Sequence, residues 1–243
     1  MFFPALSIMQ ALYMDDCYLE EFDSEIKQIS GNTIVLDKTA FYPAGGGQPT
    51  DTGKIVANGK EFAVLSVAKQ GGEILHNMNS SDGLSVGDKI RGIIDWNRRY
   101  VLMRHHTAAH VLSGVFNKES GAMITGNQLD IEKSRIDFSL ENFDRDQMTK
   151  YFEIANELVA KNLPVNIYYI SREEAEKRPE LAKLAIGLPA GVDKIRVVDI
   201  VGFDAQADGG THVKSLKEIG KIEFVSAENK GKSNRRIYYK LSL

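Results

Sequence analysis

A single cysteine, Cys17, among 243 residues excludes a disulfide framework. With it goes the class of small secreted folds that depend on cross-links, and a reducing compartment, the cytoplasm, is the expectation. Long hydrophobic runs are also missing. The start, Met1-Phe2-Phe3-Pro4-Ala5-Leu6-Ser7-Ile8-Met9, is apolar but carries no basic leader. It falls short of the roughly 20 residues of a membrane span, so neither a signal nor an anchor is expected. Positive charge is not in excess, because 30 Lys and Arg face 33 Asp and Glu for a net charge of -3. That balance excludes a protein that coats nucleic acid indiscriminately, since such affinity comes from basic residues neutralising phosphates, but it leaves room for a local contact. Internal repeats and low-complexity tracts are absent as well. What is present is ordinary for a globular chain: 43% apolar residues, enough for a core, and a length that suits one large or two small domains.

Turn signals punctuate the first part of the chain. Gly31-Asn32, Asn58-Gly59, Gly71-Gly72 and Asp82-Gly83 separate short β-branched stretches at residues 34–36, 54–56, 62–67 and 89–94. Strands at this spacing, joined by Asn-Gly and Gly-Gly, predict a small β-barrel that carries a glycine-rich loop. The period then changes from two to 3.6. A helix is expected over residues 97–118, with Val101, Ala108, Val111, Leu112 and Val115 on its buried stripe. Beyond it the pattern predicts a strand at 131–140, a helix at 143–161 ending before Pro164, a strand at 165–170, a short helix at 172–177 and a strand at 195–200. A terminal strand pair follows at 222–225 and 236–241. The fold class expected is α+β. A β-barrel domain spans residues 1–94, and an α+β domain of two helices on one mixed or antiparallel sheet spans 95–243.

The chemistry concentrates in two distant segments. In His106-Thr107-Ala108-Ala109-His110 the two imidazoles sit at i and i+4 of the expected helix, stacked about 6 Å apart, a spacing one tetrahedral zinc can bridge. The second segment, Asp208-Gly209-Gly210-Thr211-His212, supplies a third histidine. Its glycine pair lets the backbone turn tightly and present both Asp208 and His212. An i,i+4 pair alone is as often a surface coincidence as a metal site, but three of the five histidines of the chain fall in these segments. Metalloprotease chemistry is excluded, because Thr107 stands where His-Glu-x-x-His needs its general base. His105 points about 100° away around the helix and is not expected to be a ligand. His76, isolated among strand residues, reads as structural.

These segments resemble the paired metal motifs of the alanyl-tRNA editing proteins, the AlaX family, freestanding relatives of the editing domain of alanyl-tRNA synthetase. Three further stretches resemble the same family in the same order. They are Phe41-Tyr42-Pro43-Ala44-Gly45-Gly46-Gly47-Gln48-Pro49-Thr50-Asp51-Thr52-Gly53, as in its medium-length members, then Asp95-Trp96-Asn97-Arg98-Arg99 through Met103-Arg104-His105-His106, and the basic loop Lys230-Gly231-Lys232-Ser233-Asn234-Arg235-Arg236. Ordered motifs from about residue 36 to the end are far more specific than any one alone.

The resemblance implies a zinc-dependent hydrolase, one ion per chain, that deacylates alanine tRNA carrying serine or glycine at its acceptor end. His106, His110 and His212 would hold the ion. Many relatives carry cysteine where this chain has Asp208, which either binds the metal through oxygen or orients a histidine or a water beside it, and is then a candidate base. For the substrate, the resemblance points to Thr125, Asn127 and Gln128, with Thr39 and Gln48 as further polar lining and the backbone of Gly45, Gly46 and Gly47 approaching the aminoacyl end. Arg98, Arg99 and Arg104, with Lys230, Lys232, Arg235 and Arg236, are the candidate tRNA contacts. Two other classes stay open at this point: a zinc hydrolase of a small ester or amide that needs no RNA, and a noncatalytic RNA-binding module braced by zinc.

Overall fold

The structure, a computed structural model, describes residues 10–141, 144–181 and 191–242. The apolar start from Met1 to Met9 and Phe143, expected to open a helix, lie outside these residues. The chain divides into two compact units, residues 1–45 with 49–100, and residues 46–48 with 101–243. The boundary expected between Ile94 and Asp95 therefore falls between Tyr100 and Val101, inside helix α1 (Trp96–Ser120). The tripeptide Gly46–Gln48 belongs to the second unit although the chain on either side of it belongs to the first.

The first unit contains β1 (Gln10–Ala11), β2 (Glu21–Ser30), β3 (Thr33–Leu36), β4 (Lys38–Thr39), β5 (Gly53–Ala57), β6 (Lys60–Gln70), β7 (Glu73–Met78) and β8 (Lys89–Ile94). Six of these close an antiparallel barrel in the order β2-β3-β7-β6-β5-β8, with β8 pairing back onto β2. Closure leaves no free sheet edge, and alternation fills the interior. On β2 the inward set is Phe22, Ser24 and Ile26, and on β8 it is Ile90 and Ile94 beside Gly92. Asn58 and Gly59, at φ 51° and 73°, form the two-residue turn between Ala57 and Lys60 that their sequence predicts. Strand β2 was not expected. Glu21–Ser30 carries charge at alternate positions without a strong β-branched run, so barrel closure rather than propensity makes it a strand.

His76 points into this barrel. Its Nε2 lies 2.9 Å from the Thr39 hydroxyl and its Nδ1 lies 3.3 Å from the Ile34 carbonyl. Burial pushes the imidazole down to about 4, so it is neutral, with both nitrogens in use. Thr39 is thereby corrected from a candidate substrate contact to a fully buried barrel residue. Arg99, in the first turn of α1, is buried too. Its guanidinium pairs with Asp51 and donates to the carbonyls of Cys17 and Ala40 at 3.0 and 2.6 Å. A fully buried guanidinium cannot reach a phosphate, so Arg99 is a structural clamp and not a tRNA contact.

The second unit continues α1 and adds β9 (Ile124–Gln128), β10 (Ser134–Phe138), α2 (Arg145–Ala160), β11 (Val165–Ser171), α3 (Arg172–Glu176), β12 (Lys194–Ile200), β13 (Asp204–Ala207), β14 (Lys221–Gly231) and β15 (Asn234–Ser242). Instead of the single sheet expected, the described residues form two antiparallel ones, β14-β15-β10-β9 and β11-β12-β13. The Asp144 carboxylate caps α2 by accepting from the amides of Asp146 and Gln147. Phe116 of α1 stacks on Phe138 of β10 at 4.2 Å and meets Tyr151 of α2 at 4.9 Å, which fixes both helices to the four-stranded sheet. Among the described residues no helix is long and apolar enough to cross a membrane.

Candidate metal centre

Helix α1 sets two imidazoles one turn apart, and those of His106 and His110 have ring centroids 5.3 Å apart. The three-stranded sheet delivers the other two groups. The Asp208 amide donates to the Arg196 carbonyl and its own carbonyl accepts from the Arg196 guanidinium at 2.9 Å, which extends the β12–β13 pairing by one step. The chain then turns through Gly209 and Gly210, where the Gly210 amide bonds back to the Asp208 carboxylate. A Cβ on Gly210 would come within 2.1 Å of the His106 ring, so only glycine fits this approach. His212 arrives with its ring centroid 4.3 Å from that of His106 and 4.6 Å from that of His110.

The three Nε2 atoms converge on one carboxylate. They lie 3.4, 3.8 and 3.1 Å from the Asp208 oxygens for His106, His110 and His212, and one donor atom from each of the four residues falls within 4.8 Å of every other. Bonds of about 2.0–2.2 Å place tetrahedral ligands roughly 3.3–3.6 Å apart. The three separations between histidine and Asp208 bracket that range, so the cluster could hold a metal ion.

Neighbours decide which nitrogen faces the cluster. The Thr107 hydroxyl donates to the Met103 carbonyl at 3.0 Å, so its oxygen accepts from His212 Nδ1 at 3.1 Å and from the Val213 amide at 3.2 Å. The Nε2 lone pair of His212 is left for an ion. Gln48 does the same for His106. Its side-chain amide donates to the Thr211 hydroxyl at 2.9 Å, and its carbonyl oxygen lies 2.9 Å from His106 Nδ1 while accepting from the Thr211 amide at 3.1 Å. Burial, then the proximity of His106 and His110, holds His212 well below the ordinary imidazole value and keeps it in the neutral, ligating form. Burial works to raise the Asp208 carboxyl, but its interactions with His106, then with His110 and His212, outweigh it and hold the group well below the usual carboxylate range.

Beside the cluster a cavity of about 250 Å3 opens, lined by His106, His110, Asp208, Gly46, Thr125 and Asn127, with Gln206 and the apolar Ala109, Ile124, Ile136 and Ala207. Three of the residues expected to meet substrate, Gly46, Thr125 and Asn127, are therefore at the cavity. Gly47 packs on Asn127 and accepts from the Leu129 amide at 2.8 Å. Gln48 is turned inward onto His106, so it holds a ligand instead of lining the pocket. Gln128 is exposed and accepts from Arg135 at 3.1 Å. Gly45 lies in the first unit, where its carbonyl accepts from the Tyr42 hydroxyl.

The basic residues also sort by burial. Arg104 is buried and donates to the Ile219 carbonyl at 2.8 Å. Arg235, 8% exposed, closes the β14–β15 turn on the carbonyls of Gly231 and Asn234 at 2.7 and 3.1 Å. Arg236 forks onto Asp137 with two contacts of 2.8 Å. Arg104 and Arg235 are thus buried on these partners, and Arg236 is half-buried on Asp137. Lys230 and Lys232 are exposed at the tip of the hairpin, and Arg98 is half-buried with its Nε on the Thr50 carbonyl at 3.1 Å. Sequence reasoning missed Thr107 and Gln48 as partners of the ligands, and Gln206 altogether. Thr107 was visible as an unexplained polar residue between the two histidines, whereas nothing in the order of residues marks Gln206.

Residues 8–98 match the model of tRNA synthetases class II (A), and residues 195–238 match that of the threonyl and alanyl tRNA synthetase second additional domain. The chain is 50% identical over 239 residues to an alanyl-tRNA editing protein AlaX-M of Methanosarcina barkeri, covering 96% of this chain and 98% of that one. It is 50% identical over 241 residues to the AlaX-M protein of Methanosarcina mazei, with 96% of each covered. To that of Methanosarcina acetivorans it is 49% identical over 241 residues, with 96% and 98% covered. With the histidine segments, the glycine-rich run and the second additional domain in one chain, and half of the residues shared along nearly its whole length, the protein belongs to the alanyl-tRNA editing proteins of the AlaX-M type.

Proposed function

We propose that this protein is a trans-editing hydrolase that cleaves the ester between a wrong amino acid and the 3′ end of alanine tRNA, acting on seryl-tRNA and, as a second substrate, glycyl-tRNA. The observation that carries the reading is the convergence of three imidazole Nε2 atoms and the Asp208 carboxylate at the wall of a cavity of about 250 Å3. That volume suits an aminoacyl group more than a peptide. His106, His110 and His212, with Asp208 beside or among them, would hold one zinc ion. When bound, that ion polarises an ester carbonyl or lowers the pKa of a water.

The chain's own residues account for the rest. Gln48 and Thr107 keep two of the ligands in one tautomer and one orientation. No glutamate stands between the histidines, and the Thr107 proton is committed to Met103. The base for hydrolysis is then Asp208, a ribose hydroxyl of the substrate, or a hydroxide that a bound metal would supply. Thr125 and Asn127 face the amino-acid side chain. A site that pairs with a serine hydroxyl rejects alanine, because alanine would leave a polar group there unpartnered. Exposed Lys230 and Lys232, with the half-buried Arg98, supply contacts to the acceptor stem.

Deacylation of purified seryl-tRNA and alanyl-tRNA by the protein, with metal and after chelation, tests the reading. We expect seryl-tRNA to be hydrolysed and alanyl-tRNA spared. His106→Ala should lose bound zinc and cut seryl-tRNA hydrolysis by more than about a hundredfold. Full activity in metal-free protein would refute zinc dependence, and equal rates on both esters would refute editing.

A further inference from the structure

Gln206 is 5% exposed, projects from β13 and lines the cavity of the metal centre. Its amide nitrogen lies 2.6 Å from the Ser113 hydroxyl oxygen and 2.7 Å from the Asp204 carboxylate. The Ser113 proton already goes to the His110 carbonyl at 3.0 Å, so Ser113 can only accept from Gln206. A carboxylate likewise only accepts. Two acceptors thus take the two amide hydrogens, and this fixes which end of the side chain is nitrogen. The other end is a carbonyl oxygen. It has no hydrogen-bond partner among the described residues and is not sealed from the cavity.

A rigidly held acceptor that opens only to the cavity meets solvent there until a bound group supplies a donor. Asp204 sharpens the demand, because an amide whose N–H groups face a carboxylate has a more negative carbonyl oxygen. Asp204, Gln206 and Asp208 also share one face of the strand and its extension by the two-residue period, which biases that face toward a cation. Other polar groups at the cavity are committed or adjustable. The Thr125 hydroxyl donates to Asn234 at 3.0 Å, and the Asp208 carboxylate meets the three imidazoles.

We propose that the Gln206 carbonyl oxygen accepts a hydrogen bond from the α-ammonium group of the aminoacyl ester. Gln206 is then a substrate-positioning residue that reads the aminoacyl class, and it leaves discrimination of the side chain to other positions. The inference rests on the aminoacyl-ester reading of the site.

Gln206→Met keeps the length of the side chain and removes the acceptor. Three esters on the same tRNA separate the outcomes: seryl, glycyl, and deaminated seryl, in which a hydroxyl replaces the α-ammonium. Dividing each kcat/KM of the variant by that of the wild type cancels intrinsic ester reactivity, and the ratio between substrates does not depend on how much variant is folded. We expect the variant to lose about tenfold or more on seryl- and glycyl-tRNA alike, with the loss several times smaller on the deaminated ester. An equal loss on all three, or none, overturns the proposal. A loss on seryl-tRNA that spares glycyl-tRNA also overturns it, by assigning Gln206 to the side-chain hydroxyl. Should the variant fail to fold, the wild type alone decides. After correction for the uncatalysed rates, equal enzymatic hydrolysis of the seryl and deaminated esters sinks the idea. If the wild type does not hydrolyse seryl-tRNA at all, it is the functional reading that fails.

Discussion

Each unit buries a histidine against a threonine, and the two pairs have opposite consequences. In the barrel, the Thr39 oxygen takes the Phe41 amide at 3.1 Å and sits 2.9 Å from His76 Nε2, while Ile34 occupies His76 Nδ1. In the second unit, the Thr107 oxygen takes the Val213 amide at 3.2 Å and sits 3.1 Å from His212 Nδ1, while Nε2 is left facing His106, His110 and Asp208. The difference is what the second nitrogen meets. In the barrel it is a lone backbone carbonyl, and in the second unit it is the Asp208 carboxylate beside two further imidazoles, an arrangement that could hold an ion. The arginines repeat the lesson, since Arg99 and Arg235 are buried on nearby acceptors while Lys230 and Lys232 project from a hairpin tip.

The sharpest way to break the comparison is to remove both threonine oxygens separately. Thr107→Val should weaken metal affinity by about 10- to 100-fold, with Thr107→Ser restoring it, whereas Thr39→Val should leave affinity unchanged and only lower stability. Titration of metal into each apo protein measures this. Equal effects from the two variants would show that Thr107 merely packs.

A smaller effect is expected from pH. His76 titrates at about 4 when folded and near its ordinary 6.5 when unfolded. Both states hold it neutral above that value. As pH falls from about 6.5 to about 4, the unfolded chain takes up a proton that the folded one refuses, so stability drops by about 3 kcal/mol at most. Denaturant unfolding of His76→Gln should lack that part of the pH dependence. The same slope in both proteins would mean that His76 is not the group responsible.

The smallest effect concerns the surface. Replacing Lys230 and Lys232 with Ala should flatten the salt dependence of tRNA binding by about two units of slope at most and leave zinc content intact. Arg235→Ala should instead lower the unfolding temperature, because it opens the hairpin turn. An unchanged salt slope in the lysine variant moves the RNA-binding surface to Arg98 and its neighbours.

Much was legible where the signal is local. Spacing alone put His106 and His110 on one helix face, Asn58-Gly59 and Gly71-Gly72 announced their hairpins, and His105 was set aside by its angle around the helix. In the structure His105 bonds to Ser134 at 2.8 Å, away from the cluster. Less legible was the burial of charge. Arg99, Arg104, Arg235 and Arg236 look like a basic surface in one dimension, but their partners Asp51, Ile219, Glu141 and Asp137 are all distant in sequence. Local composition carries no trace of such pairings.

The order of residues by itself determined which side chains could bind a metal, because an i,i+4 pair and a glycine-flanked Asp and His are properties of short segments whose geometry the backbone dictates. It also determined the turns that close the barrel hairpins. Tertiary structure decided the rest. It turned Gln48 from a pocket residue into the partner of His106, made Thr107 the acceptor for His212, and left the Gln206 oxygen without a donor at the cavity. Each of these outcomes depends on hydrogen bonds between segments far apart along the chain. Polar atoms compete for partners only once packing has excluded water, and that competition selects the groups left to act.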